Sequence, residues 1–305
     1  MRETIYRWSK RILFVSLPLL LLLILLGAYM VDYYAKALTT AGSWPITGTP
    51  ADIGIAYEEV TLITSDGLKI SGWYLPGNKP YGVVVVHGIW ANKQAVLPIA
   101  TILSEAGYQV LVIDLRGHGF SEGDQQSYGY YEALDVIAGV DYLLTRPEID
   151  EVGVIGYSLG GSAAVRATAL DERIKALIVE SSFSSLRNAV KDSFSQHTGL
   201  PSWPLAAILV RAAEDKLGLS VEQISSSKAL ATMKPRPVMI IHGEEDQLFP
   251  VEHANEMYEA AQEPKELWIL KGLAHEYPIA YQAEYSKRIL EFYEDAFGRS
   301  GYQWQ

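Results

Sequence analysis

Apolar residues fall along this chain in three rhythms. The first is continuous: from Ile12 to Val31 the sequence ILFVSLPLLLLLILLGAYMV carries no charge. Such a run leaves no polar face, and as a helix it reaches roughly 30 Å, the thickness of a hydrocarbon core. It predicts a transmembrane helix in which Pro18, near the start, is tolerated. The second rhythm is strand-like and follows a stretch, 32–56, whose Gly42, Pro45, Gly48 and Pro50 read as a stalk. YEEVTLIT (57–64) and LKISGWYL (68–75), separated by SDG, predict an antiparallel hairpin.

The third rhythm alternates short apolar runs with helical stretches. GVVVVH (82–87), QVLVID (109–114), VGVIGY (152–157), ALIVES (176–181), PVMIIH (237–242) and KELWILK (265–271) read as strands, several of them buried on both faces. Helices are expected near 92–106, 129–145, 158–170 and 278–297. Alternation of this kind predicts an α/β fold over 57–305, with a mainly parallel sheet flanked by helices. The interval between Ser181 and Pro237 exceeds what one crossover needs. Its apolar, partly helical portion, about 183–225, is expected to be a small cap over one end of the sheet. An ordinary helix pair packed on the sheet is the competing reading.

Charge changes the picture at the N-terminus. Arg2, Arg7, Lys10 and Arg11 against Glu3 give residues 1–31 a charge of +3, so the rest carries −14 of the total −11. Cations ahead of an apolar span keep that end cytoplasmic, which predicts a single-pass anchor with the body on the exported side. A cleaved signal peptide, with AKA (35–37) as its cleavage site, is the competing reading, but the apolar run exceeds the usual signal core. The acidic body argues against nucleic acid or anionic lipid surfaces as its ligands. With no cysteine in 305 residues, disulfides, thiolate metal sites and cysteine nucleophiles are excluded.

Candidate chemistry starts at GYSLGG (156–161). A Gly-x-Ser-x-Gly match arises by chance in about one chain in seven of this composition. Its position adds more: Ser158 stands where a strand meets a helix, a turn that exposes a hydroxyl at the sheet's C-terminal edge. A serine needs a base to take its proton. HGEEDQLFP (242–250) supplies Asp246 after one later strand, and GLAHEY (272–277) supplies His275 after the last. Glu244 and Glu245 compete with Asp246, and Glu180 is a backup acid. An oxyanion needs two convergent N–H donors. The candidates are Leu159, after the serine, and Ile89 in HGIW (87–90). Trp90, Phe183, Trp203 and Leu205 are candidates for an apolar acyl pocket. His87, His118, His242 and His253 are expected to shape loops and element ends, and His197 to lie in the cap. No histidine has metal-ligand spacing, so no metal or cofactor is expected. GHGFSE (117–122) lacks the third glycine of a dinucleotide fingerprint.

In that order, HG after the third strand, DLRGHGFSEG (114–123) after the fourth, GYSLGG after the fifth and GEEDQLFP after the seventh, the chain resembles the α/β-hydrolase superfamily. VESSFSSL (179–186) and the single anchor helix are most similar to membrane-anchored α/β-hydrolase-domain esterases and acylaminoacyl-peptidase-like hydrolases. The resemblance implies a Ser158–His275–Asp246 triad and acyl transfer to water. The expected function is cleavage of carboxylic ester or thioester bonds in a small-molecule or lipid-like acyl substrate, through an acyl-enzyme. Amide or peptide hydrolysis on the same fold, or a membrane-tethered binding protein without turnover, are the alternatives.

Overall fold

The computed structural model describes residues 2–199, 201–277 and 282–298. Eight strands, β1 (Glu58–Ile63), β2 (Lys69–Leu75), β3 (Tyr81–Val86), β4 (Gln109–Ile113), β5 (Glu151–Tyr157), β6 (Ile174–Glu180), β7 (Val238–Gly243) and β8 (Lys265–Leu270), pair in the order β1-β2-β4-β3-β5-β6-β7-β8. β1 and β2 form the expected hairpin, β2 also runs antiparallel to β4, and the remaining pairs are parallel. Alternate residues of the central strands feed two cores. Val84, Val86, Val154, Val179 and Ile240 face one side. Val83, Val85, Ile155, Ile178 and Ile241 face the other. Both faces are therefore dry, which is why these strands read as unbroken apolar runs rather than alternating ones.

Helices close both faces. α3 (Glu132–Leu144), α4 (Leu159–Leu170), α7 (Ser226–Thr232) and α8 (Glu252–Ala260) cover the first, and α2 (Leu97–Glu105) and α9 (Gln282–Gly298) the second. The expected start of the last helix, 278–281, lies outside the described residues, as do residues 299–305. α9 docks through Tyr285, Ile289, Tyr293 and Phe297, all buried and four apart, one stripe of a helix. Between β6 and β7 lie α5 (Leu186–Thr198) and α6 (Leu205–Leu217). They form a third cluster of their own, in which Phe183, Leu186, Ala189, Leu217 and Ile224 gather with Phe249 from the loop after β7.

α1 (Arg2–Thr39) precedes all of this. Ser16–Thr39 is long and apolar enough to cross a membrane, a property that anchors and signal sequences share. The side chains of Arg2, Arg7, Lys10 and Arg11 lie outside the described ones. Where the sequence suggested a boundary at Val31, the helix runs on for eight more residues to Thr39. Ala35 and Thr39, four apart on one face of the helix, are both buried. The rest of the expected stalk lies along the body rather than clear of it. Thr40 bridges Gln125, the Ala41 N–H donates to the Asp124 carbonyl at 2.9 Å, and the Trp44 N–H donates to the Trp90 carbonyl at 3.1 Å.

Candidate active site

Ser158 occupies the single residue between β5 and α4, at φ 53° and ψ −115°. This is a conformation that side-chain-bearing residues adopt only when their surroundings impose it. Gly156 and Gly160 allow the turn. A Cβ on Gly156 would collide with the Gly160 carbonyl, and one on Gly160 would collide with the carbonyls of Val86 and His87. Strand and helix thus meet backbone to backbone, and the Ser158 N–H donates to the Glu180 carbonyl at 2.8 Å.

Asp246 and His275 converge on this turn from the loops after β7 and β8. His275 Nδ1 lies 2.7 Å from Asp246 Oδ2, and His275 Nε2 lies 3.2 Å from Ser158 Oγ. A carboxylate only accepts, so Nδ1 carries the proton and Nε2 is left to accept from the hydroxyl. Asp246 is buried, and its Oδ1 accepts from the N–H groups of Leu248 at 2.9 Å and Phe249 at 2.8 Å. Glu244 and Glu245, which spacing alone left in competition, are exposed. The imidazole is flanked by the rings of Tyr157 and Phe249, at 5.4 and 5.2 Å between centroids. Chemically, this arrangement can move a proton from Ser158 to His275 and stabilise the imidazolium through Asp246.

Glu180 is turned elsewhere. It is buried at the end of β6, where it accepts a hydrogen bond from Tyr285 Oη of α9, and burial pushes its pKa up to about 8. His87 orders the loop after β3. Its Nε2 accepts from the Leu115 N–H at 3.0 Å, which leaves Nδ1 to donate to the Gly88 carbonyl at 2.7 Å. Burial holds its pKa down at about 4, so it is neutral there. The same loop is pinned by Lys93, whose buried ammonium lies 2.6 Å from the buried carboxylate of Asp114. His118 is buried with its Nδ1 2.9 Å from the Arg116 carbonyl, and His242 sets its Nε2 2.7 Å from the Phe249 carbonyl. His253 sits in α8 beside Ser184, and the side chain of His197 lies outside the described ones.

A cavity of about 840 Å³ opens over Ser158 and is lined mainly by apolar side chains. Ile89 and Leu159 line it, and among the described residues neither of their N–H groups donates to a protein acceptor. Two donors of this kind beside a hydroxyl can hold a developing oxyanion. Trp90 and Phe183 also line the cavity. Trp203 and Leu205 do not: they sit at the start of α6, 79% and 49% exposed, and the wall from that helix is Leu209, one turn further on. Sequence reasoning missed Leu38 and Tyr128, which also line it. Leu38 carried no signal, since it lay in an expected stalk.

The uncharacterized protein YfhR of Salmonella typhi is 26% identical over 237 residues, spanning 72% of this chain and 73% of that one. Protein bem46 of Schizosaccharomyces pombe is 26% identical over 218 residues, spanning 68% of this chain and 67% of that one. Among solved structures, the esterase Pf2001 of Pyrococcus furiosus superposes with a TM-score of 0.71 at 27% identity, covering 84% of this chain and 98% of that one. The sequence model described as the alpha/beta hydrolase family matches residues 83–288, a stretch that holds Ser158, Asp246, His275 and both candidate N–H donors. The chain belongs to the alpha/beta hydrolase family.

Proposed function

We propose that this hydrolase is a membrane-anchored serine hydrolase that cleaves carboxylic ester or thioester bonds through an acyl-enzyme. The observation that carries the reading is His275 bridging Asp246 and Ser158 at 2.7 and 3.2 Å. The Ser158 oxygen attacks the acyl carbonyl while His275 Nε2 takes the hydroxyl proton. The carbonyl oxygen, now anionic, rests on the Ile89 and Leu159 N–H groups. His275 returns the proton to the departing alcohol or thiol as the bond to the acyl carbon breaks. Water then loses a proton to His275 and attacks the acyl-serine, and His275 returns that proton to the Ser158 oxygen as its bond to the acyl carbon breaks and the acid leaves. Likeness to the Pyrococcus furiosus esterase favours esters over amides, whose poorer leaving group asks more of the acid step.

The anchoring part of the proposal rests on the exposed apolar side chains of α1, and the positive charge ahead of them favours an exported body. A fluorophosphonate probe should label the full-length protein, and Ser158→Ala should abolish both labelling and aryl-ester hydrolysis. Undiminished labelling of Ser158→Ala would falsify the assignment of the nucleophile.

A further inference from the structure

The helix that carries the apolar span also reaches the reaction site. Leu38, the penultimate residue of α1, is part of the wall of the cavity over Ser158. The helix end is fixed there rather than loosely tethered. The Leu38 carbonyl accepts from Gln126 Nε2 at 2.8 Å and from Tyr128 Oη at 2.9 Å, and the Thr39 carbonyl accepts from the Gln126 N–H at 3.0 Å. Those are carbonyls a helix C-terminus leaves without intrahelical partners. One and a half turns back, Asp32 pairs with Lys216 of α6 at 2.7 Å. Tyr128, which holds the helix end, lines the same cavity.

The outer part of α1 has the residue order of a membrane boundary. Leu19 to Leu26 are each more than half exposed, and Tyr29, Tyr33 and Tyr34 stand exposed above them. Leucines followed by tyrosines are what a helix presents as it leaves hydrocarbon for the headgroup layer. With that boundary near Val31, Leu38 lies seven residues on, about 10 Å along the helix axis. The reaction cavity therefore begins just above the bilayer surface. Its volume suits a ligand of many heavy atoms, and its walls of Phe183, Leu186, Val190 and Leu248 suit a hydrocarbon chain. Each methylene buried in such walls favours binding by about fourfold.

We propose that the last turn of α1 is part of the substrate site, with Leu38 forming the wall for a long acyl chain, and that the substrate is a long-chain acyl ester resident in the bilayer that α1 spans. This rests on the hydrolase reading above. The reaction is hydrolysis: the acyl carbon–oxygen bond breaks, water supplies the hydroxyl of the acid and a proton to the alcohol.

The test uses the full-length protein in nanodiscs of dialkyl-ether phosphatidylcholine, which offers no competing ester, with p-nitrophenyl acetate, butyrate and laurate. Leu38→Trp, and the smaller enlargement Leu38→Phe, should lower kcat/KM on laurate by about tenfold or more, a discrimination that pocket-filling side chains reach. Any loss on acetate should be at least about fivefold smaller than the loss on laurate, since a two-carbon acyl group makes little use of the cavity wall. Leu22→Trp on the lipid-facing stretch should change neither. Loss on acetate and laurate alike, or on neither, overturns the proposal, as does a wild type that fails on laurate. Activity persisting in Ser158→Ala instead sinks the hydrolase reading. The bilayer source is tested by inserting seven helical residues between Val31 and Asp32, which raises the cavity by about 10 Å. Hydrolysis of 4-methylumbelliferyl palmitate embedded in vesicles should then fall about tenfold while butyrate is untouched, by loss of proximity. An unchanged rate on the embedded ester, or an equal fall on both, rules that source out.

Discussion

A serine at φ 53° is held there by what meets on either side of it. β5 ends and α4 begins within one residue, and the two glycines let their backbones touch, so the Cα–Cβ bond of Ser158 has one direction to point. The proposed triad was legible in the sequence because each member follows directly on a strand, and strand ends share one edge of a parallel sheet. What spacing could not separate was Asp246 from Glu244 and Glu245. In the loop after β7, two backbone N–H groups bind Asp246 Oδ1, and its other oxygen lies 2.7 Å from His275 Nδ1. Asp246→Asn should therefore leave the melting temperature near that of wild type and lower kcat by about ten-thousandfold, through the wrong imidazole tautomer. Glu245→Gln, exposed and unconnected to His275, should leave kcat intact. Steady-state kinetics on an aryl ester compares the two, and similar behaviour of both variants removes Asp246 from its proposed role.

Among the elements, all eight strands could be read in advance, β3 to β7 because a dry strand announces itself as a run of β-branched and aliphatic residues, and the more exposed β1 because a β-rich run stands on each side of SDG. Helix faces were less readable. An aromatic residue in the region 183–225 carries no mark of which way it points, and Trp203 and Leu205 fall on a helix start that projects past the cavity. The length of α1 was also hidden, since Ala35, Thr39 and their neighbours gain their meaning only from the body they touch. α9 shows the opposite case, with a four-residue stripe that packs on β5. There Gly153 leaves the space that Tyr293 occupies, since a Cβ would stand 2.6 Å from its ring. Phe297, 2% exposed and stacked on Tyr81 and Tyr293, closes the end of that stripe. Phe297→Ala should cost about 3–5 kcal/mol by transfer and cavity formation. Urea denaturation of the detergent-solubilised protein reads this, and a loss below about 1 kcal/mol would mean that α9 contributes little to the core.

For the molecule as a whole, one buried acid sets a pH trend. Glu180 has its pKa raised to about 8 by burial, and its Oε2 finds no partner among the described residues. An unfolded glutamate titrates near about 4.3. Between those values the folded chain holds a proton that the unfolded chain has released, so stability falls as pH rises through this window. Glu180→Gln has no proton to lose. Its melting temperature relative to wild type should climb steadily from pH 5 to pH 8, and a constant difference across that range would show Glu180 to be ionised in the folded protein. The continuity of α1 with the cavity has a consequence for kinetics. If the span stands in a bilayer as proposed, enzyme and substrate diffuse in the same two-dimensional sheet, and the rate obeys surface dilution. Adding a dialkyl-ether phosphatidylcholine, which has no ester to cleave, at constant total substrate should slow turnover in proportion to the fall in substrate mole fraction, while changing the volume of the surrounding buffer should not.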